Sequence, residues 1–240
     1  MTGRFPVEAF RSALEGDREL TDANRALLSA RYDENLAWAD AQVAELVRGL
    51  RARGRLGRTL FILTADHGEA FGEHGHYGHG SSLFDEQVRV PLVVRLPDHL
   101  RGRAGPAPQR RTSPVEIVDL SATVLDLLHL PASADPLSVS ESLFQTSPTP
   151  SPLVRSFAVN GHQAIMDTRY KLLIGGEGAP RLFEVATDPA EVRDLAVAQP
   201  GRVNRLRAAA WQEESAEEGP SIHDFDADTR AQLERLGYGE

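Results

Sequence analysis

Residues 59–96, TLFILTADHGEAFGEHGHYGHGSSLFDEQVRVPLVVRL, constrain this chain more than any other stretch. Two apolar, β-rich runs, at 59–64 and 90–94, bracket a loop of Gly, His and acidic residues. A short continuous apolar run fits a strand buried on both faces, as in a parallel sheet. In open α/β sheets the ligand site lies just past the carboxyl ends of such strands. Asp66 and His67 occupy that position, and a carboxylate beside an imidazole suits a divalent metal. Four of the eight histidines, His67, His74, His76 and His79, fall in this loop with Glu69, Glu73, Asp85 and Glu86. Gly68, Gly72, Gly75, Gly78 and Gly80 allow backbone to approach a ligand closely.

The rest of the composition narrows the function. A length of 240 residues predicts one domain, or one with a smaller appendage, and 41% hydrophobic residues suffice for a core. A formal net charge of −9 gives no basic face for nucleic acid. No apolar run approaches the roughly 20 residues that span a bilayer, so no membrane span is expected. The first 17 residues, MTGRFPVEAFRSALEGD, lack the apolar core of a signal peptide, and the compartment stays open. There is no cysteine, so a metal must use oxygen and nitrogen ligands.

In chain order, Thr21 or Asp22 caps an expected helix to about Arg53, with apolar residues every three or four positions and Gly54 closing it. A short link to residue 59 predicts that this helix covers one face of the sheet. Residues 97–112 read as a surface loop, 115–118 as a short strand, and 120–128 as a helix capped by Asp119. Ser-, Pro- and Thr-rich residues 131–153 read as a linker. Short β-like runs at 157–159, 162–166, 170–174 and 182–184 predict a small antiparallel sheet. Asp188, Pro189 and Glu191 carry the pattern of a helix start; a helix at 203–211, a solvated acidic stretch at 213–218 and a short helix at 226–236 complete the chain. Lys171 and Arg169 are expected on a solvated face.

These pieces, in this order, resemble the sulfatase family of the alkaline-phosphatase superfamily. RYDENLAWADAQVAELVRGLRARG (31–54) is similar to the helix before the family's metal strand, LFILTADHGEAFGEHG (60–75) to the metal strand and loop, and DEQVRVPLVV (85–94) to the next strand. VEIVDLSATVLDLLHLP (115–131) resembles the strand and helix that follow. TRYKLLIGG (168–176) and RLFEVATDPAEVRDLA (181–196) resemble the C-terminal subdomain, and ERLGY (234–238) the close of many bacterial members. The implied fold class is α/β: a partial alkaline-phosphatase-like sheet with flanking helices at 1–135, a linker at 136–153, and a C-terminal subdomain of antiparallel sheet plus helices at 154–240.

The resemblance implies that Asp66 and His67 are the late pair of metal ligands. The metal is then Ca2+, with Zn2+ or Mn2+ allowed by the histidine. His79 falls where the family places a Lys or His that contacts the transferring sulfuryl or phosphoryl oxygens. Asp33 is followed four residues later by Ala37, and no Asp-x-x-x-His pair serves a second metal, which favours the one-metal branch. The family's early Asp-Asp pair and the Cys/Ser-x-Pro-x-Arg motif that yields its formylglycine nucleophile are not found in this sequence; Ser147 and Ser151 precede prolines but lack the motif.

The resulting expectation is a metal-dependent hydrolase of small-molecule or glycan sulfate esters, truncated and inactive alone, with weak metal binding because two ligands do not close a site. Glu69 and Glu73 are expected to be structural partners. Phosphodiesterase, phosphonate hydrolase or phosphoethanolamine-transferase chemistry on the same fold is one alternative. Another is a non-catalytic fragment that assembles with a separate chain carrying the N-terminal half.

Overall fold

The structure is a computed structural model, and it describes residues 20–104, 110–131, 140–144, 153–158, 161–175 and 178–208. The expected linker at 131–153 lies mostly outside these residues, and so do the acidic stretch and the helix at 226–236.

Helix α1, Asp22–Ala52, begins where the sequence places it. The Thr21 side chain accepts from the Asn24 amide at 3.3 Å and so satisfies one of the open N–H groups of the first turn. At the other end Gly54 adopts a positive φ of 63°, and the Gly54 and Arg55 amides return to the Arg51 and Leu50 carbonyls. Ion pairs Asp22–Arg25, Arg31–Glu34 and Glu45–Arg48 run along the surface. The helix expected to cover a sheet face buries none of its own residues. Its packing is concentrated near its N-terminal half, where Leu28 meets Leu20 and Tyr77 and the Tyr32 ring stands edge-on to Phe71 at 5.2 Å.

Strands β1, Phe61–Thr64, β2, Ala70–Phe71, and β3, Tyr77–Gly78, are followed by a one-turn helix α2, Asp85–Val88, and by β4, Leu92–Arg95. β1 pairs with β4 antiparallel, Phe61 opposite Arg95 and Thr64 opposite Leu92. The expectation of a parallel strand buried on both faces is therefore corrected: all four β1 residues are only half-buried, and β1–β4 is a two-stranded sheet among the described residues. Without neighbours on both sides, an apolar run cannot bury both faces however continuous it is. Arg95 ties the pair to the preceding turn through the Leu56 carbonyl at 2.6 Å.

The strand expected at 115–118 is a turn leading into α3, Asp119–Leu127. Ile117 and Val118 are exposed, and the Asp119 carboxylate accepts from the Glu116 amide at 3.0 Å. β-branched residues without a pairing edge do not make a strand. Asp119 also accepts from the Glu141 amide, and Thr123, fully buried, accepts from the Leu143 amide; residues 140–144 are thereby packed onto α3.

The antiparallel sheet predicted from the short β-like runs is present as β5, Val154–Phe157, β6, Gln163–Met166, β7, Lys171–Ile174, and β8, Arg181–Phe183, in sequential order. Ile165, Leu172, Leu182 and Phe183 form its core. Helix α4, Pro200–Arg207, adds Val203 and Leu206 and opens on Pro200, whose missing N–H costs nothing in a first turn. Asp167 locks the β6–β7 turn by accepting from the Arg169 and Tyr170 amides at 2.8 and 2.7 Å and holds α4 through Arg205. No helix starts at Asp188. Its carboxylate instead accepts from the Val192 and Arg193 amides across a loop, because Glu191, at a positive φ of 49°, turns inward to a buried lysine.

Candidate metal centre

β1 delivers Asp66 and His67 immediately beyond its C-terminal end. The Asp66 carboxylate accepts from the His67 amide at 3.0 Å, and its other oxygen lies 3.7 Å from His67 Nε2. His67 Nδ1 sits 2.8 Å from the Gly68 carbonyl, an acceptor, so Nδ1 is the donor in that contact and Nε2 is the nitrogen left to face outward. Position 68 admits only glycine, since a Cβ there would come within 2.1 Å of the Glu86 carbonyl. The Gly68 amide donates to the Gln87 carbonyl at 2.7 Å and fastens the start of the loop to α2.

The loop between is a miniature hairpin. Ala70 pairs with Gly78 and Phe71 with Tyr77, and the chain reverses through Gly72, His74 and Gly75, all at positive φ. One step outward from the Ala70–Gly78 pair, Glu69 and His79 face each other, as cross-strand neighbours do. His79 Nδ1 is 3.4 Å from Glu69 Oε2, and its ring stacks on His67 with 3.9 Å between centroids. One ligand atom from each of His67, Glu69 and His79 lies within 4.8 Å of the others, and all three side chains are half-buried. Of the residues singled out from the sequence, His67 and His79 are thus brought together, while Asp66 stays beside His67 with its side chain largely exposed and outside this cluster. Tyr32 borders the same site: burial first, and the Glu69 charge second, raise its phenol pKa.

The other two loop histidines point to a different task. His74 stacks on Phe84 at 3.6 Å, with Nδ1 2.9 Å from Glu86 and Nε2 3.1 Å from the Ala190 carbonyl. His76 is held below its ordinary pKa, mainly by burial and further by Arg181, His74 and His162, against the opposing charge of Glu86.

Lys171 corrects a sequence expectation. It is buried, not solvated: Nζ is 2.8 Å from Asp85 and 2.9 Å from Glu191, with 2% and 1% of the Lys171 and Glu191 side chains exposed. The Asp85 amide donates to the other Glu191 oxygen at 2.6 Å. Burial raises the Glu191 pKa, and Lys171 opposes that rise. This triad and His74 tie residues 74–86 to β7 and to the 188–191 turn. Sequence reasoning missed it because the partners of Lys171 lie 86 residues before and 20 residues after it. Arg169 is exposed as expected and pairs with Glu184.

The family model described as Sulfatase matches residues 8–130. The chain belongs to the sulfatase family. It is 28% identical over 197 residues to arylsulfatase K of Xenopus laevis, across 75% of this chain and 35% of that protein. In fold it resembles a 2-O GAG sulfatase, with a TM-score of 0.63 at 19% identity over 84% of this chain and 44% of that one. It also resembles the phosphonate monoester hydrolase of Agrobacterium radiobacter, with a TM-score of 0.61 at 23% identity over 83% and 47%. These structural likenesses establish the partial α/β, alkaline-phosphatase-like fold. The sulfatase-family chain spans about a third to two fifths of the curated relatives it matches, for example 35% and 41%. Sulfate-ester hydrolysis is the activity at family level, and a divalent metal is general to the family. No described helix of this sulfatase-family chain is long and apolar enough to cross a membrane.

Proposed function

We propose that this chain carries the metal loop and C-terminal subdomain of a sulfate-ester hydrolase whose nucleophile and remaining metal ligands come from residues outside this sequence. The observation behind the proposal is the placement of Asp66 and His67 just past β1 with the His79 ring stacked on His67, 3.9 Å between centroids. In the complete site Asp66 and His67 would contribute two ligands to a divalent ion, Ca2+ by family habit and Zn2+ or Mn2+ by virtue of the imidazole. The ion, when bound, would orient the ester and offset charge that develops on the transferring group. His79 would hold a donor toward the oxygens of that group, where a fixed dipole stabilises the transition state. The domain map that accompanies this proposal is 1–135, 136–153 and 154–240.

The sequence has no cysteine and no adjacent pair of aspartates, so on this reading the chain does not turn over ester by itself and its partner is a chain or segment that supplies both. The test is a sulfate-ester assay on the purified chain, alone and co-expressed with the nucleophile-bearing N-terminal portion of a sulfatase. Activity is expected only in the pair, and Asp66→Ala is expected to abolish it. Turnover by the chain alone, lost in the same variant, would overturn the reading. Phosphonate ester hydrolysis is the second reading; it is favoured by the histidine after Asp66 and by the likeness in fold to a phosphonate monoester hydrolase. A reconstituted pair that cleaves phosphonate monoesters and leaves sulfate esters intact would select it.

A further inference from the structure

We infer that the unpaired edge of β1 and the apolar stripe of α1 form one docking surface, and that it takes a β-strand, apolar on both faces, from the portion of a sulfatase that carries the nucleophile. The inference rests on the reading of this chain as one part of an ester hydrolase. It adds where the other part attaches and by what kind of contact.

The first observation is a mismatch between what β1 is made of and where it lies. Residues 60–63, Leu-Phe-Ile-Leu, are continuously apolar, the composition of a strand with neighbours on both sides. Among the described residues β1 has one neighbour, β4, and all four β1 residues are half-buried. In an antiparallel pair alternate residues aim their N–H and C=O groups away from the partner strand. On the side opposite β4, β1 therefore presents an unpaired row of backbone groups. Charged residues or proline usually blunt such an edge, and β1 has neither. The second observation is α1. Tyr32, Leu36, Ala39, Val43, Leu46 and Leu50 recur every three or four residues and so lie on one side of the helix. At one end of this stripe Tyr32 stands against Phe71 in β2, the next strand after β1. At the other end the helix meets the turn at Leu56–Arg58, just before β1. α1 is thus fastened to the segments on either side of β1, while its middle buries nothing and leaves Leu36 and Leu46 51% and 54% exposed.

Chemistry and length identify the occupant. An unpaired edge takes extended backbone, and an apolar stripe takes apolar side chains; one apolar β-strand satisfies both. The relatives have chain to provide it. This chain covers 35% of arylsulfatase K of Xenopus laevis and 44% of the 2-O GAG sulfatase, so more than half of each lies outside the match. A strand added to β1 would give it the second neighbour that its composition implies, and would cover the leucines that α1 leaves open.

The test is co-purification and amide hydrogen exchange, with the full chain co-expressed with an affinity-tagged N-terminal portion of a sulfatase and no ester present. The chain is expected to co-purify with that portion. Alternate β1 amides are expected to exchange freely in the chain alone and to slow by about 100-fold or more in the pair. Leu36→Glu and Leu46→Glu are each expected to weaken the association by about 10-fold or more, because a charge would have to be buried. Trp38→Glu is the control: Trp38 is exposed and two residues from Leu36, on the other side of α1, and the change is expected to leave association intact. Failure to co-purify, association indifferent to both leucine variants, or β1 amides as slow in the chain alone as in the pair would each overturn the inference. The last result would mean that another segment of this chain, or a second copy, already covers the edge. A pair that assembles through these residues and cleaves neither sulfate nor phosphonate esters would leave the docking surface standing and overturn the ester-hydrolase reading.

Discussion

Helix α1 runs for 31 residues without burying one, and Leu36, Trp38 and Leu46 are more than half exposed. The β5–β8 sheet, with half that many residues, sinks Ile165, Leu172, Leu182 and Phe183 to 1% exposure or less. Both regions follow patterns that the sequence displays plainly, yet they are held by different forces. α1 is held by its caps, its surface ion pairs and a contact with the β2–β3 hairpin, all local or small. The sheet is held by apolar burial closed over by α4. The metal loop lies between them and borrows its rigidity from the sheet side, through Lys171 and His74. Formation of an element and burial of that element are therefore separate events in this chain, and only the second carries much stability.

The contrast predicts its own largest effect. Leu172→Ala should cost about 2–5 kcal/mol in urea denaturation, because a fully buried leucine leaves a cavity that its neighbours cannot fill. A cost below about 1 kcal/mol would show that the sheet is as loosely packed as the helix.

Lys171→Met should cost a comparable amount, about 3–5 kcal/mol at neutral pH, by leaving Glu191 buried without its cation, whereas the half-buried Asp85 keeps Arg89 at 3.6 Å. The sign of its pH dependence follows from Glu191. Burial raises that carboxyl's pKa in the folded state, so folding favours the protonated form, and stability falls as pH rises from the unfolded value toward the raised one. Removing Lys171 removes the group that holds the rise in check. The variant should therefore recover part of its loss between about pH 7 and pH 5, where the parent gains less. Denaturation midpoints across that range check this; a deficit that does not change with pH would mean that Glu191 is not the group left stranded.

His74→Ala should cost less, about 1–2 kcal/mol, for its stacking on Phe84 and its hydrogen bonds to Glu86 and Ala190. Its sharper readout is hydrogen exchange, which should quicken in residues 73–86 while the β6–β7 amides keep their protection. Smallest of all, Leu36→Ser and Trp38→Ser in α1 should change stability by no more than about 0.5 kcal/mol, as exposed positions generally do. A loss above about 1.5 kcal/mol in either would erase the distinction between the two regions.

The placement of Asp66 and His67 past a strand end was legible because a strand and the residue pair at its end are adjacent in sequence. That His79 lies beside His67 was suggested only through the family resemblance. Its partnership with Glu69 was not, although a signal existed. Gly72 and Gly75 mark a reversal centred near residue 74, and folding the sequence about that point sets residue 69 opposite 79. The strand at 115–118 was misread because β-branched residues announce a propensity, while a strand also needs an edge to pair with. Lys171 was misread because a lysine within a strand pattern is ordinarily solvated, and its acidic partners are far away in sequence.

The amino-acid sequence alone determined the caps of α1, the β1 strand, the order of the C-terminal strands and the family, since capping, turn chemistry and apolar periodicity act over a few residues. Only the tertiary structure decided that β1 pairs antiparallel with β4, that Glu69 stands beside His79, and that Lys171 is buried against Asp85 and Glu191. Those outcomes depend on which surfaces meet and on how charges separated by tens of residues are drawn out of water together. No local pattern encodes such a pairing, because its energy exists only once both partners have been brought to the same place.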